Sequence, residues 1–307
     1  MEVWRTVPMT APPPGGGGGP PDAAGAWEVL FGAARGSLHV RTGAPLQDAV
    51  GWWPGPRAGA PAEAAHRASR VVVTVSDGVG SRDCFRSDRG AQLAVACACA
   101  VGAELVAVPE PSGPGTPGDE VAVALAAEVV ARWTAAVRAD LAGAPFRPEE
   151  LEGTSPDWAD AGPLLAYAAT LLVAVATPER LLLVQLGDGD VLVVGPGGVV
   201  ARPVPDDPSS VAGTTSTLSQ PDAVEAFRGT VLDLAADPVD LVLMATDGYG
   251  NAFADPGWPG RVGRDVHDQL RDDGPADVRA RLGSWVADAA SVGGDDATLA
   301  LVVRAPA

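Results

Sequence analysis

The sequence predicts an α+β domain built in layers, and three observations carry that expectation. Apolar runs around Val71 to Val75, Leu241 to Thr246 and Thr298 to Val303 are rich in β-branched residues, the composition of strands buried on both faces. Thr170 to Thr177 and Leu181 to Leu186 are separated only by Pro178-Glu179-Arg180, a hairpin spacing that makes those two strands antiparallel. Helical patterns stand in pairs, early and late, without the regular strand–helix alternation of a doubly wound parallel sheet.

The totals narrow the setting. Of 307 residues, those from 1 to 26 form a proline- and glycine-rich stretch with Gly15 to Gly19 at its centre, too poor in apolar side chains to build a core. Met1 to Thr10 lacks the basic start and long apolar stretch of a secretory signal. With 21 basic and 39 acidic residues the formal charge is 21 − 39 = −18, which repels phosphate backbones and anionic lipid surfaces, so nucleic acid and membrane are not expected partners. Cys84, Cys97 and Cys99 are too few and too irregularly spaced for a disulfide framework or a zinc site, and point to a reducing, cytoplasmic compartment. The most apolar run, Ala91 to Val108, is interrupted by Gln92, Gly102 and Glu104 and is expected to be a buried helix rather than a membrane span.

In chain order, Trp27, Val29 and Phe31 alternate as in a half-buried strand. Gly36 to Asp48, broken by Gly43 and Pro45, has a loop composition, and a second strand is expected from Ala49 to Trp53. After the strand at Val71, a long helix follows with Ser87 or Asp88 as its N-cap. Another begins at Asp119-Glu120, with Val130, Trp133, Val137 and Leu141 as its core-facing stripe. The hairpin comes next. Gly187-Asp-Gly-Asp190 breaks the chain, and Val191 to Val194 resumes the sheet. Arg202 to Gly229 has little periodicity and is expected to be a surface flap. Helices over Arg264 to Asp272 and Ala276 to Ala290 precede the closing strand at Thr298, with Trp133 and Trp285 expected in the core.

Three apolar strands carry a carboxylate and glycine at one end: Ser76-Asp77-Gly78, Thr246-Asp247-Gly248 and Gly293-Gly294-Asp295-Asp296. Any one alone is a common turn sequence, since Asp-Gly is a favoured turn dipeptide. Converging, they supply the hard oxygen ligands that suit Mg²⁺ or Mn²⁺. Two such ions bridged by one carboxylate activate water and clamp a phosphoryl group for in-line hydrolysis of a phosphate ester.

The order of these motifs resembles the metal-dependent protein phosphatases of the 2C type, in their bacterial branch, from about Trp27 to Val303. Leu46-Gln47-Asp48 is similar to the first acidic motif, Asp77-Gly78-Val79-Gly80 to the Asp-Gly-x-Gly signature, and Gly187-Asp188-Gly189 to the Gly-Asp-Ser-Arg turn. Thr246-Asp247-Gly248 and Asp295-Asp296-Ala297-Thr298 resemble the last two motifs, with Asp296 where the family has asparagine. The resemblance implies one catalytic domain over 27–305: two mostly antiparallel sheets packed as a sandwich flanked by helices, in α-β-β-α layers. It implies catalytic roles for Asp77 and Asp48, and metal contacts from Asp77, the Gly78 carbonyl, Asp247, Asp295, Asp188 and Gln47. Two Mg²⁺ or Mn²⁺ ions, with a third at an accessory site holding Asp188, would serve a serine/threonine phosphoprotein phosphatase. A phosphorylated protein would be its substrate, with a Ser/Thr kinase or that kinase's target as the default. Departures are also visible. The family's phosphate-binding arginine falls at Gly43, leaving Arg41 and His39 as the substitutes for the substrate phosphate. Val79 stands where eukaryotic members carry a histidine, and the Gly-Thr-Thr motif is reduced to Ala168-Ala169-Thr170. These departures keep an alternative open, a weakly active phosphatase-fold module that captures a phosphoprotein.

Overall fold

The structure is a computed structural model that describes residues 25–55, 67–107, 118–156, 158–207 and 215–305. The elements run β1 (Trp27–Ala34), α1 (Ser37–Thr42), β2 (Ala49–Trp53), β3 (Arg67–Ala68), β4 (Val71–Ser76), α2 (Ser87–Ala107), α3 (Gly118–Gly143), α4 (Pro148–Leu151) and α5 (Trp158–Ala161). They continue with β5 (Leu171–Ala176), β6 (Arg180–Leu186), β7 (Asp190–Gly195), β8 (Val199–Ala201), α6 (Ala223–Ala226) and β9 (Arg228–Asp233). The chain then forms β10 (Leu241–Ala245), α7 (Asp247–Gly250), α8 (Trp258–Asp272), α9 (Pro275–Gly293) and β11 (Ala297–Arg304).

The strands form two sheets, in the orders β3-β1-β11-β10-β7-β8 and β2-β4-β5-β6-β9, and their described pairings are antiparallel. Along β5 the two-residue period of a strand explains the unbroken apolar run. Leu171, Val173 and Val175 face a core shared with α2 and α3, while Leu172, Ala174 and Ala176 face the other sheet. That inter-sheet layer also holds Val29, Val73, Leu183, Met244 and Val302. On the far side, Val266 of α8 and Leu282 and Val286 of α9 pack on Leu243 and Leu301. The layers are therefore helix, sheet, sheet, helix, the α+β sandwich that the resemblance implied. By length and composition α2 could cross a membrane. Its Ala94, Ala98, Cys99 and Val101 are buried in the core against the second sheet, as expected of a core helix.

Several expectations are corrected. The segment from Gly36 to Asp48 contains a helical turn, α1, which ends on Gly43 in the left-handed region at φ +76°. Val191 to Val194 does not extend the sheet of the hairpin. Gly187, at φ +96°, turns the chain out of the second sheet, and β7 joins β10 in the first. Arg202 to Gly229 is not flap throughout, because α6 and the start of β9 lie within it, and residues 208–214 fall outside the described residues. β9 escaped notice because it is an edge strand, half-buried along most of its length, so no burial alternation marks its sequence. Ser87 begins α2 itself, and its hydroxyl accepts a bond from Gln47 Nε2 at 2.9 Å. On α3 the fully buried positions are Ala126, Val129, Trp133 and Val137, with Val130 and Leu141 only partly buried. Trp285 is half-buried, with the Arg281 guanidinium 5.9 Å from its ring centre. Nearly all of the expected N-terminal tail lies outside the described residues.

Register then fixes where strand ends go. β2 runs antiparallel to β4 with Ala49 opposite Ser76, so Asp48 and Asp77 are brought beside each other. β10 runs antiparallel to β11 with Ala245 opposite Leu299, which carries Asp247 toward Asp295 and Asp296. A sandwich whose inner layer is this tightly packed is sensitive to lost volume. Leu183→Ala, at a fully buried inter-sheet position, is expected to cost about 2–5 kcal/mol of unfolding free energy by denaturant titration. A loss below about 1 kcal/mol would contradict this account of the core.

Candidate functional site

β4 ends on Ser76, and Thr170, just before β5, holds the turn that follows. Ser76 Oγ donates to the Thr170 carbonyl at 2.6 Å, and the Asp77 N–H donates to Thr170 Oγ1 at 3.1 Å. The Thr170 N–H donates in return to the Asp77 carbonyl at 2.8 Å. The next residue has no room for a side chain: a Cβ on Gly78 would stand 2.7 Å from the Ser87 carbonyl oxygen and 2.8 Å from that of Gln47. On the other sheet, Thr246 joins three strands. Its hydroxyl donates to Asp48 Oδ2 at 2.8 Å and accepts the Thr298 N–H at 2.9 Å. Gly248 is equally confined, since a Cβ there would meet the Asp296 carbonyl.

Asp77 and Asp247 share a side-chain hydrogen bond, and Asp48 and Asp295 act electrostatically on Asp77. Burial first, then the charges of Asp48 and Asp247, hold the Asp77 carboxyl well above the usual range. Asp247 is raised by burial and by Asp188. Asp48 is pushed up to about 8, by burial first and then by Asp296 and Asp295. Like charges have been gathered where desolvation penalises each of them, so the group favours either protons or a cation.

The sequence-derived residues are not all placed alike. Asp48, Asp77, Gly78, Asp247 and Asp295 meet at one end of the sandwich. Asp188 is exposed at the crossing between sheets and interacts with Asp247 and Asp190. Beside it lies a cavity of about 310 Å³ lined in part by Arg202, Val204, Asp206 and Arg228. Gln47 turns its Nε2 to Ser87, and its buried Oε1 has no hydrogen-bond partner among the described residues. His39 reaches the cluster, with Nε2 3.8 Å from Asp295 Oδ1. Arg41 does not: its guanidinium bonds Ser37 Oγ at 3.4 Å on exposed α1, and it has no ion pair with the carboxylates among the described residues. Sequence reasoning missed Thr246 as the group that bonds Asp48; Asp190, which closes the break at 187–190, is buried and paired with Arg202 at 2.6 Å. A polar residue closing an all-apolar strand was the available signal for Thr246.

The donor set suits the divalent ions that the resemblance implies. Every candidate contact is a hard oxygen, the Gly78 position admits only backbone, and buried Gln47 Oε1 has no hydrogen-bond partner among the described residues. Among the described residues no group of three or more His, Cys, Asp and Glu side chains is arranged to hold a metal ion.

Comparison with known proteins agrees with this arrangement. The family model described as protein phosphatase 2C matches residues 35–287. No curated protein matches the chain by sequence. Among solved structures, a bacterial serine phosphatase is similar at 11% identity and a TM-score of 0.58, covering 91% of this chain and 98% of that one. PppA, a regulatory component of the T6SS in Pseudomonas aeruginosa, shares 17% identity at a TM-score of 0.54, with 91% and 98% covered. The catalytic domain of the serine/threonine phosphatase PstP in complex with two manganese ions shares 16% identity at a TM-score of 0.50, again with 91% and 98% covered. At these identities the likeness speaks for the fold.

The raised carboxyls set a pH dependence. A carboxyl group whose folded-state pKa is raised contributes stability that is fully present below its unfolded value and is lost as pH rises through the folded one. For Asp48 that window runs from the ordinary 3.8 to about 8. Chelator-treated protein should therefore melt at progressively lower temperature across that window, and millimolar Mn²⁺ should raise Tm more near pH 8 than near pH 5, by thermal unfolding. An equal shift at both pH values would refute cation binding at these carboxylates.

Proposed function

The chain belongs to the protein phosphatase 2C family, and on that premise we propose that it is a metal-dependent serine/threonine phosphoprotein phosphatase acting in cytoplasmic signalling. One observation carries the reading: Asp48, Asp77, Asp247 and Asp295, from four separate strand ends, act on one another in one place. Asp77, the Gly78 carbonyl, Asp247 and Asp295 would hold Mg²⁺ or Mn²⁺, with Asp48 and Gln47 behind them and Asp188 at an accessory third position. The manganese-bound PstP domain supports that choice of metal. When bound, two such ions would supply activation of water and neutralise charge on the phosphoryl oxygens.

The chain's own residues do the positioning. Thr170 fixes the backbone of Asp77, and Thr246 holds Asp48 against both sheets. A water hydrogen-bonded to Asp77 or Asp48 would be lined up for in-line attack on phosphorus, its proton passing to that carboxylate, while the serine or threonine oxygen would take a proton from solvent water and leave as the alcohol. His39, at the rim beside Asp295, is the residue placed to contact the substrate phosphate. The family premise points to a phosphoprotein partner, a kinase or its target, and the acidic chain disfavours nucleic acid or a membrane surface.

Asp77→Asn removes one carboxylate charge at nearly constant size. It is expected to lower Mn²⁺-dependent hydrolysis of a phosphoserine peptide by at least about a hundredfold with the fold intact by circular dichroism. Unchanged turnover would sink the proposal. Arg41→Ala is expected to alter KM by less than about twofold, whereas His39→Gln should raise it by about tenfold. A second reading, a capture module without turnover, draws on the position of Arg41 away from the carboxylates. Calorimetry showing peptide binding in a protein that releases no phosphate would favour it.

A further inference from the structure

α1 is held in an unusual way. None of its residues is buried, and Leu38 and Val40 are 50% and 54% exposed, so apolar packing does not dock it. Hydrogen bonds do. The Leu38 N–H donates to the Gly294 carbonyl at 2.9 Å, and Ser37 Oγ donates to the Ser291 carbonyl at 3.2 Å. The strongest tie is a single buried carboxylate, Asp296. Its Oδ1 accepts the Gly36 N–H at 2.7 Å, and its Oδ2 accepts the Gln47 N–H at 2.6 Å. Both ends of the loop that carries α1 are thus fastened to one side chain. Gly36 also lies too close for any side chain, since a Cβ there would collide with the backbone of Gly294 and Asp295.

The same carboxylate meets His39. Its Nδ1 stands 2.9 Å from Asp296 Oδ1, a close contact not aligned as a hydrogen bond, and this buried nitrogen bonds no other group among the described residues. The opposite edge of the ring is directed at the cleft: a Cβ on Gly80 would lie 3.9 Å from Nε2, and Asp295 Oδ1 lies 3.8 Å from it. We propose that Asp296 is a positioning residue of this site, which clips the Gly36–Gln47 loop to the 294–296 turn and holds His39 with Nδ1 inward and Nε2 facing the cleft. The chemistry accounts for aspartate at a position where the family has asparagine. Two backbone N–H groups bond its two oxygens, with the His39 ring nitrogen close to one of them, and an amide, with one oxygen and one NH₂, would turn a donor toward a donor on one side. Because Gln47 is fastened by the same group, the clip places the Gln47-Asp48 pair and the phosphate-contacting ring together. The role of His39 toward phosphate rests on the proposed function; the clip itself does not.

Two measurements test it. Long-range ¹H–¹⁵N correlation spectra of the full chain, with the His39 signals assigned by their loss in His39→Gln, report which ring nitrogen carries the proton. A protonated Nδ1 in the parent that is lost in Asp296→Asn is the expected result. An unprotonated Nδ1 in the parent overturns the proposal, whether or not either variant folds well. Kinetics with a phosphoserine peptide and Mn²⁺ give the second test. Asp296→Asn and His39→Gln should each lower kcat/KM by about tenfold and the double variant by about the same factor, because both remove one unit. Losses that multiply to about a hundredfold would mean independent roles and overturn the coupling. If the parent shows no hydrolysis, the phosphatase reading fails and the ring tautomer alone decides the clip.

Discussion

Antiparallel pairing imposes a geometric constraint on this molecule. A strand that leaves the sandwich at one end must have a neighbour that arrives there, so a carboxylate at the end of β4 faces one at the start of β2. The same holds for β10 and β11. The two sheets are stacked, and the two pairs of ends are brought to a common edge. Asp48, Asp77, Asp247 and Asp295 could not be kept apart without breaking the register, and register is fixed by which side chains face the core.

The cost of that crowding is electrostatic, and it is carried by the rest of the fold. Carboxyl groups that are buried and mutually repelling are raised above their ordinary range, a state that favours binding of a proton or a metal over free charge. Against it stand three apolar layers, with Val73, Leu183 and Val302 among the residues sealed between the sheets. Short hydrogen bonds then hold the charged ends in place: Thr170 at Asp77, Thr246 at Asp48, and Asp296 at the loop before β2. Electrostatic crowding of this kind, supported by a rigid scaffold, is characteristic of sites that bind and react.

Polar groups also decide what the loops do. Asp188 stands clear of the buried cluster because Gly187 turns the chain from one sheet to the other, leaving it exposed at the crossing. Arg202, paired with Asp190, and Arg228, bonded to the Gly187 carbonyl at 2.6 Å, bring positive charge to that side of the cleft. His39 comes to the rim from α1, a helix too short and too exposed to have been expected from apolar periodicity.

By itself the sequence determined the apolar inner strands, the glycines beside their terminal aspartates and the hard-oxygen character of the group they form, because these depend on local composition and on two-residue periodicity. Asp77, Gly78, Asp247 and Asp295 were legible for that reason. Only the tertiary structure decided which sheet each strand joins, that β7 crosses over after Gly187, and that Thr246 and Asp296 fasten distant segments. It also decided that His39 meets the carboxylates while Arg41, two residues on, turns to Ser37. Those outcomes rest on register and on hydrogen bonds between residues as far apart as Gly36 and Asp296. No local pattern encodes such partners, because the donors and acceptors meet only after the two sheets have packed.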